Sequence, residues 1–481
     1  MLLTIFIFPL LAAIGVFALG EKLAKPIALF ASAILFGLSC MLFLGGSSTG
    51  NFGEINLAWI PIMNIHFHLL ADGLSIWLLL LTSFLVPLII LSSYHKVIKN
   101  ANVFFAFVLF MQFGLNGVFL AVDGFLYYIF WELALIPIYF IVWLWSENED
   151  LEIRKRTAFK FFIYTIAGSL FMLFGFMYIY AKLGSVSIEA LYSSSFSANE
   201  QIGLFLCFFL AFAVKIPIFP FHTWQADTYR EAPSVGTMLL SGIMLKMGIY
   251  SLIRWLIPVF PLGLAFWTPY VIVLCVIGIV YGAIIAIKQD NLKTLLAFSS
   301  LSHVGLIAAG TFILTFEGME GALIQMLAHG VNVVGLFFVA EIILQRTGTL
   351  SISQLGGIRT VAPRFFTFSI ILVLAAVALP GTNAFVGEFL LLYSLFQYHT
   401  WLGVFGGLTI ILAAVYLFKM VQYTFLGNLS IRTQHFADLS KTETVLFTII
   451  TLVIFGFGLF PNIVFKTALP VLETILQTAM R

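Results

Sequence analysis

Apolar runs of about 20 residues, the length at which a helix crosses a bilayer, follow one another along the chain with short polar connectors between them. They predict fourteen transmembrane helices, near residues 2–19, 27–44, 69–91, 102–122, 124–145, 158–181, 201–221, 233–256, 264–287, 294–315, 320–344, 365–397, 401–426 and 444–466. Only the turn at Asp123–Gly124 separates the fourth from the fifth. The first charges, Glu21 and Lys22, come after the first apolar run. That is the reverse of a secretory signal's basic start, so this run is expected to remain as a helix.

Composition agrees with the pattern. Of 481 residues 62% are hydrophobic and 9% charged, with a mean hydropathy of +1.10. These values exclude a soluble domain and place the chain among all-α polytopic membrane proteins. The net charge of +2 offers no basic face for nucleic acid. Cys40, Cys207 and Cys275 all fall inside apolar runs, with no CxxC pair, so no redox centre or metal site is expected on the chain. Neither a GxGxxG after a strand nor a GxxxxGK[ST] motif is present to hold a nucleotide.

Charge placement tests the helix count. Most of the 23 lysines and arginines fall in alternate connectors, beginning with Lys22, Lys25, Lys96 and Lys99. The opposite connectors hold only Lys182, Arg254, Lys466 and Arg481. By the positive-inside rule both termini face away from the cytoplasm, as an even number of crossings requires.

Two predicted spans are interrupted. In the seventh, Pro217 and Pro220 follow Lys215 and remove backbone donors; in the twelfth, Pro380 frees the carbonyl of Ala376 and Gly381 permits an unusual backbone angle. Five helices separate the two breaks, so a five-helix repeat would set its copies in opposite orientations, the arrangement in which discontinuous helices form ion pathways. The expected organisation is a three-helix segment over 1–101, a first repeat over 102–256, a second over 264–426, and a last helix with its tail over 427–481.

Ionisable residues inside these spans carry the candidate chemistry, because a charge in hydrocarbon costs roughly 3 kcal/mol upward and is seldom left without a use or a partner. Lys215 has more than a turn of apolar chain on either side; Lys246 lies in the next span. Glu132 stands in the fifth span beside Leu133, whose carbonyl Pro137 frees, and suits either a buried role or a helix end reaching the interface. His303 and His329 occupy consecutive spans, with Ser299 and Gln325 one turn earlier on the same faces. They suit proton carriers or satisfied core histidines equally. Glu388 follows the second break. Together these residues make a candidate proton relay.

Lys160 and Lys419 are expected to snorkel to the cytoplasmic surface, and Glu341 to pair with Arg346. His66 and His68 lie in a predicted loop, and two histidines do not make a metal site.

The run Lys215-Ile216-Pro217-Ile218-Phe219-Pro220-Phe221-His222-Thr223-Trp224, then Glu231-Ala232-Pro233-Ser234-Val235-Gly236 and Leu245-Lys246, resembles the signature of the antiporter-like subunits of respiratory complex I. Asp72-Gly73-Leu74-Ser75, Trp131-Glu132 and Ala328-His329-Gly330 match it too, so the resemblance covers nearly the whole chain. Gly387-Glu388-Phe389 resembles the M-type branch of bacterial NADH:quinone oxidoreductase (ND4-type in mitochondria), since the related L and N branches usually carry lysine at the position of Glu388. The long lateral helix of the L branch is not expected after the fourteenth span.

The resemblance implies that Glu132 and Lys215 form a modulating ion pair and that Lys246 connects two half-channels. It implies that His303 and His329 line a hydrophilic axis, with Glu388 as the terminal proton-transferring residue. It further implies a proton-pumping NADH:quinone oxidoreductase in a bacterial inner membrane, with L-type and N-type neighbours. NADH, FMN, iron–sulfur clusters and quinone would then be bound by partner subunits, with no cofactor on this chain. A multisubunit Na⁺(K⁺)/H⁺ antiporter and a membrane-bound hydrogenase are the alternatives within the same superfamily.

Overall fold

The computed structural model describes residues 1–46 and 50–480. In chain order it contains α1 (Leu2–Leu19), α2 (Glu21–Leu44), a hairpin of β1 (Asn51–Ile60) and β2 (Ile65–Asp72), α3 (Ser75–Ser92), α4 (Ala101–Leu120), α5 (Gly124–Leu144), α6 (Leu151–Leu183), α7 (Ile188–Tyr192) and α8 (Ala198–Lys215). There follow α9 (Gln225–Glu231), α10 (Ser234–Leu239), α11 (Leu245–Ser251), α12 (Pro261–Lys288), α13 (Leu292–Thr311), α14 (Phe316–Thr347) and α15 (Ile358–Val361). The chain closes with α16 (Pro363–Ala376), α17 (Asn383–Tyr398), α18 (Thr400–Thr424), α19 (Lys441–Leu459) and α20 (Asn462–Ala479).

A π-helical turn, Leu240–Met244, joins α10 to α11, and a second, Leu252–Leu256, extends α11. Counting Ser234–Leu256 as one span, 13 helices among the described residues are long and apolar enough to cross a membrane. The predicted span 365–397 is instead two half-helices: α16 stops at Ala376, four residues before Pro380, and α17 starts at Asn383. The seventh span likewise ends at Lys215, ahead of Pro217. The protein is a multi-pass membrane protein of almost wholly helical fold.

Three expectations need correction. The region around His66 and His68 is a strand, not a loop, and α3 begins only at Ser75. His68 Nε2 lies 2.8 Å from Glu54 Oε1 across the hairpin, and among the described residues no three His, Cys, Asp or Glu side chains gather as a metal site would require. The last predicted span stops early: Phe460 precedes Pro461, which disfavours helix at that residue, and the chain resumes as α20. Its buried residues, Val464, Ala468, Leu472, Ile475 and Leu476, recur at three- and four-residue steps, as on a helix with one covered face. Arg254, read as an interfacial cation, is 5% exposed within the second π-turn.

The chain folds as two compact units. The first comprises Met1–Ile216, Ile243–Tyr270 and the segment from Ile463 onward; the second comprises Pro217–Gly242 and Val271–Asn462. In the first, Asp72 joins strand, helix and π-turn. Its Oδ1 accepts from the Leu74 and Ser75 amides at 3.1 and 3.0 Å, capping α3, while Oδ2 pairs with Arg254 Nη2. Both partners are buried. Removing one leaves the other uncompensated, so Arg254→Gln is expected to destabilise the protein by about 3–5 kcal/mol. The double variant Asp72→Asn/Arg254→Met should recover most of that loss; thermal unfolding of the purified protein in detergent checks both.

Candidate functional site

In the first unit, close helix contacts fix the depth of each charged side chain. A Cβ on Gly114 of α4 would come 2.9 Å from Ala134 Cα on α5, and one on Gly117 would meet the Phe130 ring at 2.2 Å. Glu132 therefore stands level with residues 115–116 of α4. Tyr250 OH donates to Phe119 O at 2.9 Å. The C-terminal ends of α4 and of the Ser234–Leu256 span both reach β2, through Val122 N to His68 O and through Arg254 to Asp72. The two helices thus run the same way, and Lys246, four residues before Tyr250, falls at the depth of Glu132. A Cβ on Gly248 would meet Ile216 Cγ1 at 2.5 Å, which brings Lys215 to that depth as well. Glu132, Lys215 and Lys246 occupy one layer about a helical turn, or 5.4 Å, thick.

Lys215 is the last residue of α8 and is buried. Its Nζ lies 5.5 Å from the centroid of the Trp131 ring and has no hydrogen-bond partner among the described residues. The neighbouring Glu132 interacts with it through charge, and Ser169 and Tyr128 flank the carboxylate. Glu132 Oε1 is likewise buried without a hydrogen-bond partner. The pair is thus electrostatic and unclasped. Ammonium and carboxylate face each other across low-dielectric space, where their attraction is far stronger than in water.

The second unit holds a clasped arrangement. His303 Nδ1 lies 2.8 Å from Glu388 Oε1, and Gln325 Nε2 donates to the same oxygen at 3.1 Å. His303 Nε2 is 3.4 Å from Tyr416 OH, which is 2.9 Å from Ser299 Oγ. With the carboxylate ionised, a neutral His303 gives each of these bonds a donor and an acceptor: Ser299 donates to Tyr416, Tyr416 to Nε2, and Nδ1–H to Glu388 Oε1, while Glu388 Oε2 has no hydrogen-bond partner among the described residues. His329 stands beside it, ring centroids 6.3 Å apart. Ser299, Ser300, His303, Gln325, His329, Asn332 and Glu388 line a cavity of about 30 Å³, room for a water or two at roughly 10–15 Å³ each. On its other side Glu388 borders an apolar groove of about 590 Å³ lined by Phe385, Phe389 and Phe396. Glu388 thus stands in the wall between a polar interior and an apolar flank.

Helix breaks and glycines position this cluster. Asn332 Nδ2 donates to Ala375 O at 3.4 Å, near the end of α16, and to Asn383 Oδ1 at 3.0 Å, at the start of α17. A Cβ on Gly387 would come 2.5 Å from Gln325 Oε1 and 3.0 Å from Gln325 N. Only glycine lets α17 lie this close to α14 and present Glu388 to Gln325 and His303.

Several expected pairings differ. Glu341 does not pair with Arg346: it accepts from Ser234 and, at 2.7 Å, from Gln345, while Arg346 bonds Glu443 at 2.6 Å. Lys419 donates to Ile287 O at 2.8 Å, one residue from the end of α12, with Asp290 of the following connector nearby. Tyr416 was invisible as a site residue because a tyrosine within an apolar run reads as core. Asn332 and Asn383 carried a signal, amides in apolar surroundings, that went unused.

The family model described as "NADH:quinone oxidoreductase/Mrp antiporter, TM" matches residues 121–413. The chain belongs to this family. Among its relatives, the "NADH-quinone oxidoreductase subunit M" of Rhodobacter capsulatus is 35% identical, over 96% of this chain and 94% of that protein. The "NADH-ubiquinone oxidoreductase chain 4" of Chondrus crispus is 34% identical, over 93% and 92%. A chain in the structure "Respiratory complex I from Thermus thermophilus with bound NADH" superposes with a TM-score of 0.91 at 29% identity, each chain covered completely. The family's fold extends to a chain of the Mrp complex from Dietzia sp. DQ12-45-1b, TM-score 0.86 at 18% identity over 99% of both chains.

Replacing Gly387 with alanine should force α17 away from α14 and open the Gln325–Glu388 bond. A loss of about 1–3 kcal/mol is expected, read as a lowered unfolding midpoint in detergent, whereas Gly407→Ala, where a Cβ meets nothing within 4 Å, should leave it unchanged.

Proposed function

We propose that this chain is the M-type, proton-translocating subunit in the membrane arm of an NADH:quinone oxidoreductase. It moves protons through buried Glu, Lys and His side chains, driven by redox chemistry in other subunits. The observation that carries the reading is the buried glutamate of the second half-helix, Glu388, clasped to His303 and Gln325, in a chain similar over more than nine-tenths of its length to proteins named subunit M or chain 4. A multisubunit Na⁺(K⁺)/H⁺ antiporter is less favoured, because the likeness to the Mrp complex is one of fold alone.

In this reading Glu132 is the modulator of Lys215. A lysine whose counter-charge is withdrawn gives up its proton, and one whose counter-charge returns takes one up. Lys246 passes protons on, His303 and His329 carry them through the second half of the chain, and Glu388 is the terminal group. Residues 102–256 and 264–426 act as two inverted five-helix repeats, flanked by 1–101 and 427–481. Both termini lie on the non-cytoplasmic side of a bacterial inner membrane. L-type and N-type subunits are the neighbours, and NADH, FMN, iron–sulfur clusters and quinone belong to other subunits.

In sealed vesicles carrying the assembled complex, Lys215→Ala and Glu388→Gln should each lower NADH-driven proton uptake and coupled quinone reduction by roughly tenfold or more. NADH oxidation by an artificial acceptor, which needs no translocation, should stay unchanged. Wild-type pumping and turnover in both variants would overturn the assigned roles. Glu388→Lys keeps a titratable group and is expected to retain more coupling than Glu388→Gln.

A further inference from the structure

Gln112 and Asn116 lie one turn apart on α4 at 0% exposure, and none of their four side-chain amide atoms has a hydrogen-bond partner among the described residues. Four residues apart, they share a face. The opposite face, with Gly114 and Gly117, is pressed against α5. Phe119 continues the amide stripe, and both its carbonyl and its ring meet Tyr250, the ring edge-on at 5.5 Å. The amides therefore point to the side of α4 that faces α11 and Lys246. Asn116 is three residues below Phe119 and Lys246 four below Tyr250, which puts the two within about 1.5 Å of the same depth; Gln112 lies about 6 Å further toward the N-terminal end of α4.

On the other side of this layer most polar groups are bonded, and the unpartnered atoms, Arg254 Nε and Trp255 Nε1, are donors only. Tyr250 OH donates to Phe119 O, Tyr127 OH meets Ser251 Oγ, Tyr192 OH donates to Arg254 O at 2.9 Å, and Arg254 pairs with Asp72. Open capacity of both kinds, donor and acceptor, thus runs from Asn116 through Gln112 toward the start of α4, the end that follows Lys96 and Lys99, whereas toward the hairpin only isolated donors are open. Buried amides that the protein does not satisfy are satisfied by water. A side-chain amide both donates and accepts and does not titrate near neutral pH, so it can align water without trapping a proton.

We propose that Gln112 and Asn116 are positioning residues that hold a file of water through which Lys246 exchanges protons with the side of the membrane at which α4 begins. The inference rests on the proton-translocating reading above and adds to it two residues and a direction of access.

The test uses the assembled complex in sealed vesicles. Gln112→Leu/Asn116→Leu keeps side chains of similar bulk and removes their hydrogen bonding, and NADH oxidation by an artificial acceptor reports assembly. Proton uptake and coupled turnover should fall about tenfold, and the solvent deuterium isotope effect on coupled turnover should rise, which a packing defect would not cause. Gln112→Asn/Asn116→Ser, which still binds water, should bring coupling back to within about twofold of wild type. Unchanged turnover and isotope effect in the double leucine variant overturn the inference. If Lys215→Ala loses coupling in the same preparation, the inference falls alone; if Lys215→Ala is also fully coupled, the site reading falls with it. Should the leucine variant fail to assemble, a map of the wild-type complex that resolves solvent decides. Waters within about 3.2 Å of the amide atoms support the inference, and amides bonded only to protein overturn it.

Discussion

A bilayer interior supplies no water, so every polar group placed there is solvated by the protein or left unsatisfied. Lys215 and Lys246 sit under that constraint in the first unit, and Glu388 in the second. The helices around them are shaped by it. α8 ends at Lys215, α16 and α17 part around Pro380, and two π-turns flank the segment of α11 that carries Lys246. Interruptions of this kind are tolerated where other groups bond the backbone around the break, as Asn332 Nδ2 adds to Ala378 N at the Ala375 carbonyl. Polar function and broken backbone therefore occur together because each supplies what the other lacks.

The two units meet the constraint differently. In the second, a carboxylate, an imidazole, an amide and two hydroxyls bond one another in a continuous chain, and a proton moving onto Glu388 shifts bonds that already exist. In the first, the Lys215 ammonium and one Glu132 oxygen stand without hydrogen bonds, related through charge. An unclasped pair is the more responsive of the two, since no bond between its partners has to break before the counter-charge changes its influence. A clasped acid is better placed to hold a proton at a defined atom. This division suits a modulated lysine in one unit and a terminal acid in the other.

Much of the fold was legible because membrane helices announce themselves by length. Every predicted apolar segment contains helix, at 365–397 as two half-helices separated by the Pro380 turn and at 233–256 as α10 and α11 joined by a π-turn. The six candidate residues were legible because charge and imidazole stand out in apolar runs. The hairpin was not: its second strand runs straight into the apolar start of α3, and a span-length window merged the two. α20 hid behind the hydrophobic end of α19, where one proline was the sole marker. Arg254, near the end of its span, read as interfacial because only tertiary structure brings Asp72 to it, and the same holds for Glu443 and Arg346. Tyr416 could not be found from sequence, since a hydroxyl at the tip of an aromatic leaves no mark on hydropathy.

The signs of the charges follow from the ends of the broken helices. Lys215 is the final residue of α8, where unpaired carbonyls and the negative end of the helix dipole favour a cation. Glu388 lies on the second turn of α17, nearer the positive end, which favours an anion. In water the dipole's influence fades within a turn, but in a low-dielectric interior it reaches further, and Gln325 and His303 add donors on the same side of the carboxylate. A lysine at 388 would meet those donors as a third, and would need either the other tautomer of His303 or a flip of the Gln325 amide, whose Oε1 has no hydrogen-bond partner among the described residues, to find an acceptor. The half-helix and its donors as arranged thus favour a carboxylate at this position on electrostatic grounds.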